Sequence, residues 1–74
     1  MTPLDNEIIK GMADHNLNIS AVARDLYMHQ NTVVYHIERV KRETGLNARN
    51  FYDLAELLAM IDKGEVGTDE ARAD

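Results

Sequence analysis

The sequence predicts an all-α domain, a bundle of about four helices. Apolar residues recur at three- and four-residue spacing in four separate stretches, which is the period of amphipathic helices. Residues that cap helix starts precede each stretch, and glycine or polar clusters follow it. Internal repeats and the alternating apolar pattern of β-strands are both missing from the sequence.

The first helix is predicted to start at Thr2-Pro3-Leu4-Asp5. Thr2 can cap the free amides, proline suits the first helical position, and an acidic residue complements the positive end of the helix dipole. The polar stretch 14–16 should end the helix, and Gly11 weakens it slightly. Its apolar face comprises Leu4, Ile8, Ile9 and Met12.

The second and third helices share the segment 19–43. Ser20 is the predicted cap of the second helix, because serine accepts hydrogen bonds from free amides. The third helix should begin between His29 and Asn31, run to about Thr44 and be capped by Gly45. The buried sides are predicted to be Ile19, Val22, Ala23 and Leu26 on the second helix, and Val33, Ile37 and Val40 on the third.

A fourth helix is predicted from about 51 to 63, capped by Asn50 and ended by Gly64. Residues 64–74 are charged and nearly free of large apolar groups, so we expect a disordered acidic tail after a domain spanning 1–63. The predicted core stripe is Leu54, Leu57, Leu58 and Ile61, with Phe51 or Met60 extending it.

Length and composition restrict the class of protein. Seventy-four residues make one small domain, and the lack of cysteine excludes disulfides and thiolate metal sites. No apolar run is long enough for a membrane span and no signal peptide is evident, so we expect a cytoplasmic protein. The net charge of −5 is uneven: it is −2 over 1–18, +2 over 19–49 and −5 over 50–74.

The segment 19–43 has the pattern of a helix-turn-helix, whose second helix enters the DNA major groove. Asparagine and glutamine can bond adenine, and an apolar side chain can meet a thymine methyl. Alternatively, Asn31 and Thr32 can simply cap or begin a helix, Tyr35 can cover a helix junction, and Arg24 can form a salt bridge. The candidate DNA-binding residues are Ser20, His29, Gln30, Asn31, Thr32, Val34, Tyr35, His36, Arg39 and Arg42.

We find no pattern that favours catalysis, a cofactor or a metal ion. His29 and His36 are about 10 Å apart along a helix, too far to share one ion. Ser20 is better explained as a cap than as a nucleophile, and no glycine-rich phosphate loop exists. An enzyme is therefore not expected.

Residues 17–61 resemble the C-terminal helix-turn-helix domain of the PucR/CdaR family of bacterial transcriptional regulators, and more loosely Fis-type domains. The resemblance rests on the runs 18–27 and 28–40, on His29, Asn31, Thr32 and Tyr35 within them, and on Thr44-Gly45-Leu46. It implies DNA binding, usually as a dimer, in the control of metabolic genes. Family members usually carry a sensory region ahead of this domain, and both an excised and a free-standing domain fit the sequence.

The sequence departs from the family where cations are usual, at Gln30, Val34, His36 and Glu38. Fewer cations reduce the attraction to phosphates. Two hypotheses follow. The first is a sequence-specific DNA-binding module that regulates transcription through a recognition helix at about 30–43. The second is a protein-interaction or dimerisation module with weak or lost DNA binding. A homodimer fits both, because a small domain gains from burying more apolar surface.

Overall fold

The computed structural model describes residues 1–63 with their side chains, and of residues 64–73 it describes only the course of the backbone. The secondary structure of the described chain is entirely helical, as predicted. The helices are α1 (Pro3–Asp14), α2 (Ile19–Asp25), α3 (Gln30–Thr44) and α4 (Phe51–Ala73).

Helix α1 begins after the predicted cap, Thr2, and Asp5 completes a capping box that was not foreseen. The Asp5 amide donates to Oγ1 of Thr2 at 3.1 Å, and the Thr2 amide donates to Oδ2 of Asp5 at 2.8 Å. Gly11 has a role that sequence analysis missed. A Cβ built on it would lie 3.1 Å from Cγ1 of Val22, so glycine allows α1 and α2 to approach closely.

The cap of α2 differs from the prediction. Asn18, not Ser20, is the N-cap, and its Oδ1 accepts from the amide of Ala21 at 3.0 Å. Ser20 lies inside the first turn of the helix. Asparagine and serine cap about equally well, so the choice depends on where the chain leaves the preceding turn. In this protein that turn holds Asn16 and Leu17 at positive φ.

Helix α3 follows the prediction closely at both ends. Gly45 caps it in the left-handed conformation, with φ of 80°, and its amide donates to the carbonyl of Lys41. Thr44 Oγ1 donates to the carbonyl of Val40 and accepts from the amide of Leu46, which turns the chain back onto the core.

Helix α4 begins at the predicted cap, where Asn50 Oδ1 accepts from the Asp53 amide at 3.1 Å. The Asp53 carboxylate in turn accepts from the amide of Asn47 at 3.0 Å and fixes the turn. The helix bounds are Phe51–Ala73, whereas the sequence predicts an end at Lys63. The predicted disordered tail, 64–74, lies outside the residues described with side chains and stays a prediction.

The core lies around α1, which packs against each of the other three helices, while α2 also packs against α3. Phe51 and Met60 do not extend the stripe of α4, because both side chains are exposed. Ala48, in the turn before α4, is fully buried and was not foreseen. The buried apolar residues are Ile8, Ile9, Met12, Val22, Ala23, Val33, Ile37, Val40, Ala48, Leu54, Leu57 and Ile61.

In the described part of the chain, no helix has both the length and the apolar character that a membrane span needs.

Candidate nucleic-acid interface

Helices α2 and α3 are joined by a tight turn. The Leu26 amide donates to the carbonyl of Val22, and the Met28 amide donates to the carbonyl of Ala23 at 2.9 Å. Between them, Tyr27 has φ of 57° and is 95% exposed. A left-handed residue reverses the chain within this turn, so α3 starts at a fixed angle to α2. The arrangement is that of a helix-turn-helix.

One side-chain hydrogen bond joins the starts of the two helices. Nε2 of Gln30 donates to Oγ of Ser20 at 3.3 Å, on the exposed side of the junction. The structure therefore brings together two of the candidate DNA-binding residues. A bond this long and solvated contributes little to stability, so Gln30 can exchange it for another partner at small cost.

The outward face of α3 presents chemically diverse side chains. Asn31, Tyr35 and Arg42 are exposed and lie four and seven residues apart, so they share one helix face. Glu38 lies on the same face and is half-buried. Gln30, also exposed, flanks this face with the half-buried Val34. We call Gln30, Asn31, Val34, Tyr35, Glu38 and Arg42 the α3 outer face.

The first turn of α3 leaves backbone donors available. His29 is the N-cap and makes no side-chain cap hydrogen bond. Neither Asn31 nor Thr32 is the cap, so the capping alternative is wrong, but both lie in the first turn of α3 and thus begin the helix. The free amides and the positive end of the helix dipole together favour an anion at this position.

His36 and Arg39 lie elsewhere, on the flank of α3 that meets α1. His36 Nδ1 is 2.8 Å from Oδ1 of Asp5, and Arg39 Nη2 donates to Oδ2 of Asp5 at 2.7 Å. Arg39 Nη2 also donates to Thr2 Oγ1 at 3.2 Å. The side chain of Asp5 is fully buried, and those of His36 and Arg39 are 13% and 27% exposed. We call Asp5, His36 and Arg39 the Asp5 cluster.

The electrostatics of the Asp5 cluster favour the ionised carboxylate. Burial alone would raise the pKa of Asp5, but the hydrogen bonds from the Thr2 amide, His36 and Arg39 outweigh it and lower the pKa to about 2. The hydrogen bond to Asp5 raises the pKa of Arg39. An ionised carboxylate only accepts hydrogen bonds, so Nδ1 of His36 carries the hydrogen between them. The Asp5 cluster therefore fixes the position of α3 relative to α1.

Asp5 was predicted only to complement the helix dipole, and its contacts with α3 were not foreseen. A signal existed: His36 and Arg39 are one turn apart, and both border the buried stripe of Val33, Ile37 and Val40. Basic side chains at the edge of a buried stripe are usually paired, so these two indicate an acidic residue on the facing helix.

The free cations near the outer face are few. Arg24 on α2 is exposed and forms no ion pair within residues 1–63, so the salt bridge considered for it is not formed. Arg24 lies one turn after Ser20 on the same side of α2, and Ser20 contacts Gln30 at the edge of the α3 outer face, so Arg24 joins the ten candidate residues. Lys41 and Arg42 are exposed in the last turn of α3.

The described residues contain no group of three or more histidine, cysteine or acidic side chains that could hold a metal ion. The three histidines have separate surroundings. His15 pairs with Asp25 at 3.3 Å, His29 is exposed at the start of α3, and His36 belongs to the Asp5 cluster.

Residues 7–62 match the family model described as the PucR C-terminal helix-turn-helix domain. The matched region includes the starts of α2, α3 and α4, and it begins inside α1. No curated protein and no solved structure matches the chain.

Proposed function

The chain belongs to the PucR C-terminal helix-turn-helix domain family, and on this premise we propose that it is a sequence-specific DNA-binding module of a bacterial, cytoplasmic transcriptional regulator. The single observation that carries the proposal is the α3 outer face. It presents amide, aromatic and apolar groups at the start of a helix whose opposite side is anchored in the core by Val33, Ile37 and Val40. A rigid helix presenting such groups fits the major groove.

Base reading is assigned to Gln30, Asn31 and Val34. A carboxamide can bond both N6 and N7 of adenine, and the Val34 methyls can contact a thymine methyl. To do so, Gln30 has to give up only its bond to Ser20, and the Ser20 hydroxyl, which accepts in that bond, can donate to a phosphate. Tyr35 lies next along the same face and can stack or bond the backbone.

Phosphate contacts are assigned to three positions. The amides at the start of α3, with Thr32 and the exposed His29, can hold one phosphate. Arg24 and Arg42 can each hold another. Arg39 and His36 are excluded from this assignment, because both are committed to Asp5. The proposed surface is therefore less basic than the sequence alone suggests.

A second function is favoured by one observation, the shortage of cations on an acidic chain. With Arg39 bound to Asp5 and Glu38 on the outer face, the fold could act as a protein-interaction module. Such a module would co-purify with a partner and leave DNA unshifted even at low salt. We place it second because it leaves the exposed amides of Gln30 and Asn31 without a role.

The test is selection from a random duplex library at low salt, with the purified chain. Enrichment of one sequence with adenine and thymine at adjacent positions supports the proposal. Asn31→Ala should then lose the preference at one position while keeping the fold, because its side chain is exposed and caps nothing. Glu56→Gln on α4 is the matched exposed control and should select the wild-type sequence. Failure to enrich any sequence overturns the proposal.

We further propose that the module acts as a homodimer. Paired helix-turn-helix domains read two half-sites about one helical turn apart, which raises both affinity and specificity.

A further inference from the structure

Two aromatic side chains stand exposed at the start of α4. Phe51 is 65% exposed and Tyr52 is 79% exposed, and their rings meet edge to face with centroids 5.3 Å apart. They make no contribution to the buried core of the described chain. Exposed aromatic rings that contact each other form an apolar patch, and such patches mark interaction surfaces.

The patch continues along α4 and into a groove. Ala55 and Ala59 are exposed on the same side of the helix as Phe51, while Leu54, Leu57 and Ile61 on the other side are buried against the core. Beside this patch lies an open groove of about 240 Å³ between α1 and α4, lined by Met12, Ala13, Leu17, Ala55 and Leu58 among others. A helix that is apolar on both sides is normally buried on both sides.

We propose that this surface, comprising Phe51, Tyr52, Ala55 and Ala59 with the adjoining groove, binds the same surface of a second copy of the chain. The two α4 helices would pack antiparallel, with the two-fold axis near Ala55. This inference deepens the proposed homodimer by naming its interface, and it does not depend on DNA binding.

Shape is one argument for a second copy as the occupant. Phe51 and Tyr52 lie about one turn before Ala55, and Ala59 lies one turn after it. An antiparallel pair therefore places the aromatic rings of each copy beside Ala59 of the other, large against small. A two-fold interface must be self-complementary in this way.

Charge is the second argument. Asp62 lies about 10 Å beyond Ala55 along the helix, and the exposed Arg49 lies six residues before Ala55, in the turn ahead of the cap. The same antiparallel pairing brings Asp62 of each copy toward Arg49 of the other, twice per dimer. No ion pair within residues 1–63 occupies either side chain.

The position of the interface is compatible with DNA binding. Helix α4 packs against α1, whereas the packing partners of α3 are α1 and α2. The α3 outer face is therefore left open when two α4 helices pair, and the dimer presents two recognition helices.

The first test is sedimentation equilibrium of the full chain without DNA, over about 5 to 500 µM. The wild type should associate to a dimer. Ala55→Arg should raise the dimer dissociation constant at least tenfold, because two arginines meet near the axis. This change also reduces the net charge of −5, so general repulsion cannot cause the dissociation. Glu56→Gln makes the same charge change beside the interface and should dimerise like the wild type.

The second test swaps the charges. Arg49→Asp and Asp62→Arg should each weaken the dimer several-fold, and the double variant should regain most of the loss. Circular dichroism checks that every variant is folded. A wild type that stays monomeric up to 500 µM, or an Ala55→Arg variant that dimerises normally, overturns the proposal. Because DNA is not in the sample, either result leaves the proposed DNA binding to its own test.

Discussion

The carboxylate of Asp5 on α1 accepts a hydrogen bond of 2.7 Å from the guanidinium of Arg39 on α3. These residues are 34 positions apart in the chain, and the bond lies at the edge of the core. Because of this bond, Arg39 is not available to contact DNA from α3, the helix that we propose reads DNA. The bond also couples the orientation of that helix to the first turn of α1.

Replacing Asp5 by asparagine should destabilise the domain by about 3 kcal/mol, because it removes a buried charge from two basic partners. Urea denaturation at neutral pH measures this loss. Glu7→Gln on the exposed side of α1 is the control, and it should stay within about 0.5 kcal/mol of the wild type. Equal stability of Asp5→Asn and Glu7→Gln would show that the Asp5 cluster does not stabilise the fold.

Acid should weaken the domain over a defined range. The pKa of Asp5 is lowered from 3.8 to about 2 by folding, so its ionised form favours the folded state. This contribution, about 2 kcal/mol, is fully present above pH 4 and is lost as the pH falls toward 2. Urea midpoints measured across this range should fall more steeply for the wild type than for Asp5→Asn. Parallel curves would refute the assignment.

Tyr27→Gly should stabilise the domain by about 1 kcal/mol. Tyr27 occupies the left-handed region with φ of 57° and is almost fully exposed, so glycine relieves strain and loses little packing. The matched control is Tyr35→Gly, an exposed tyrosine in the interior of α3, which should destabilise by a similar amount. Thermal unfolding of the two variants should therefore shift in opposite directions.

Glu38→Gln should strengthen DNA binding about threefold, because it removes an anion from the α3 outer face. Glu43→Gln provides a comparison, since Glu43 lies near Arg39 and the N-terminus rather than on that face. Its effect on affinity should be smaller. Filter binding at low salt compares the two variants, and a weaker complex with Glu38→Gln would contradict the orientation proposed for α3.

The helices and most of the core were predictable from the sequence because each depends on local order. The stripe of Val33, Ile37 and Val40 follows from helical spacing, and Gly45 follows from its freedom at positive φ. That Asn18 and not Ser20 caps α2 was not predictable, because both residues stand at positions where a cap would suit the start of the helix.

The Asp5 cluster and the close approach at Gly11 depend on how helices pack, which spacing within one helix does not reveal. The α3 outer face was therefore predicted in part. Gln30, Asn31, Val34, Tyr35 and Arg42 are accessible or partly accessible there. His36 and Arg39 point toward α1 because both contact the buried carboxylate of Asp5.

A fluorescence-anisotropy titration of a selected duplex across a salt series measures whether the α3 outer face binds DNA. For each copy bound, the logarithm of affinity should fall with the logarithm of salt with a slope near −3, as expected for about three phosphate contacts per copy. Arg24→Ala should reduce the slope, whereas Asn31→Ala should lower affinity for the selected duplex about tenfold at unchanged slope. No anisotropy change at about 50 mM salt, or equal affinity for selected and scrambled duplexes, would rule out sequence-specific DNA binding by the α3 outer face.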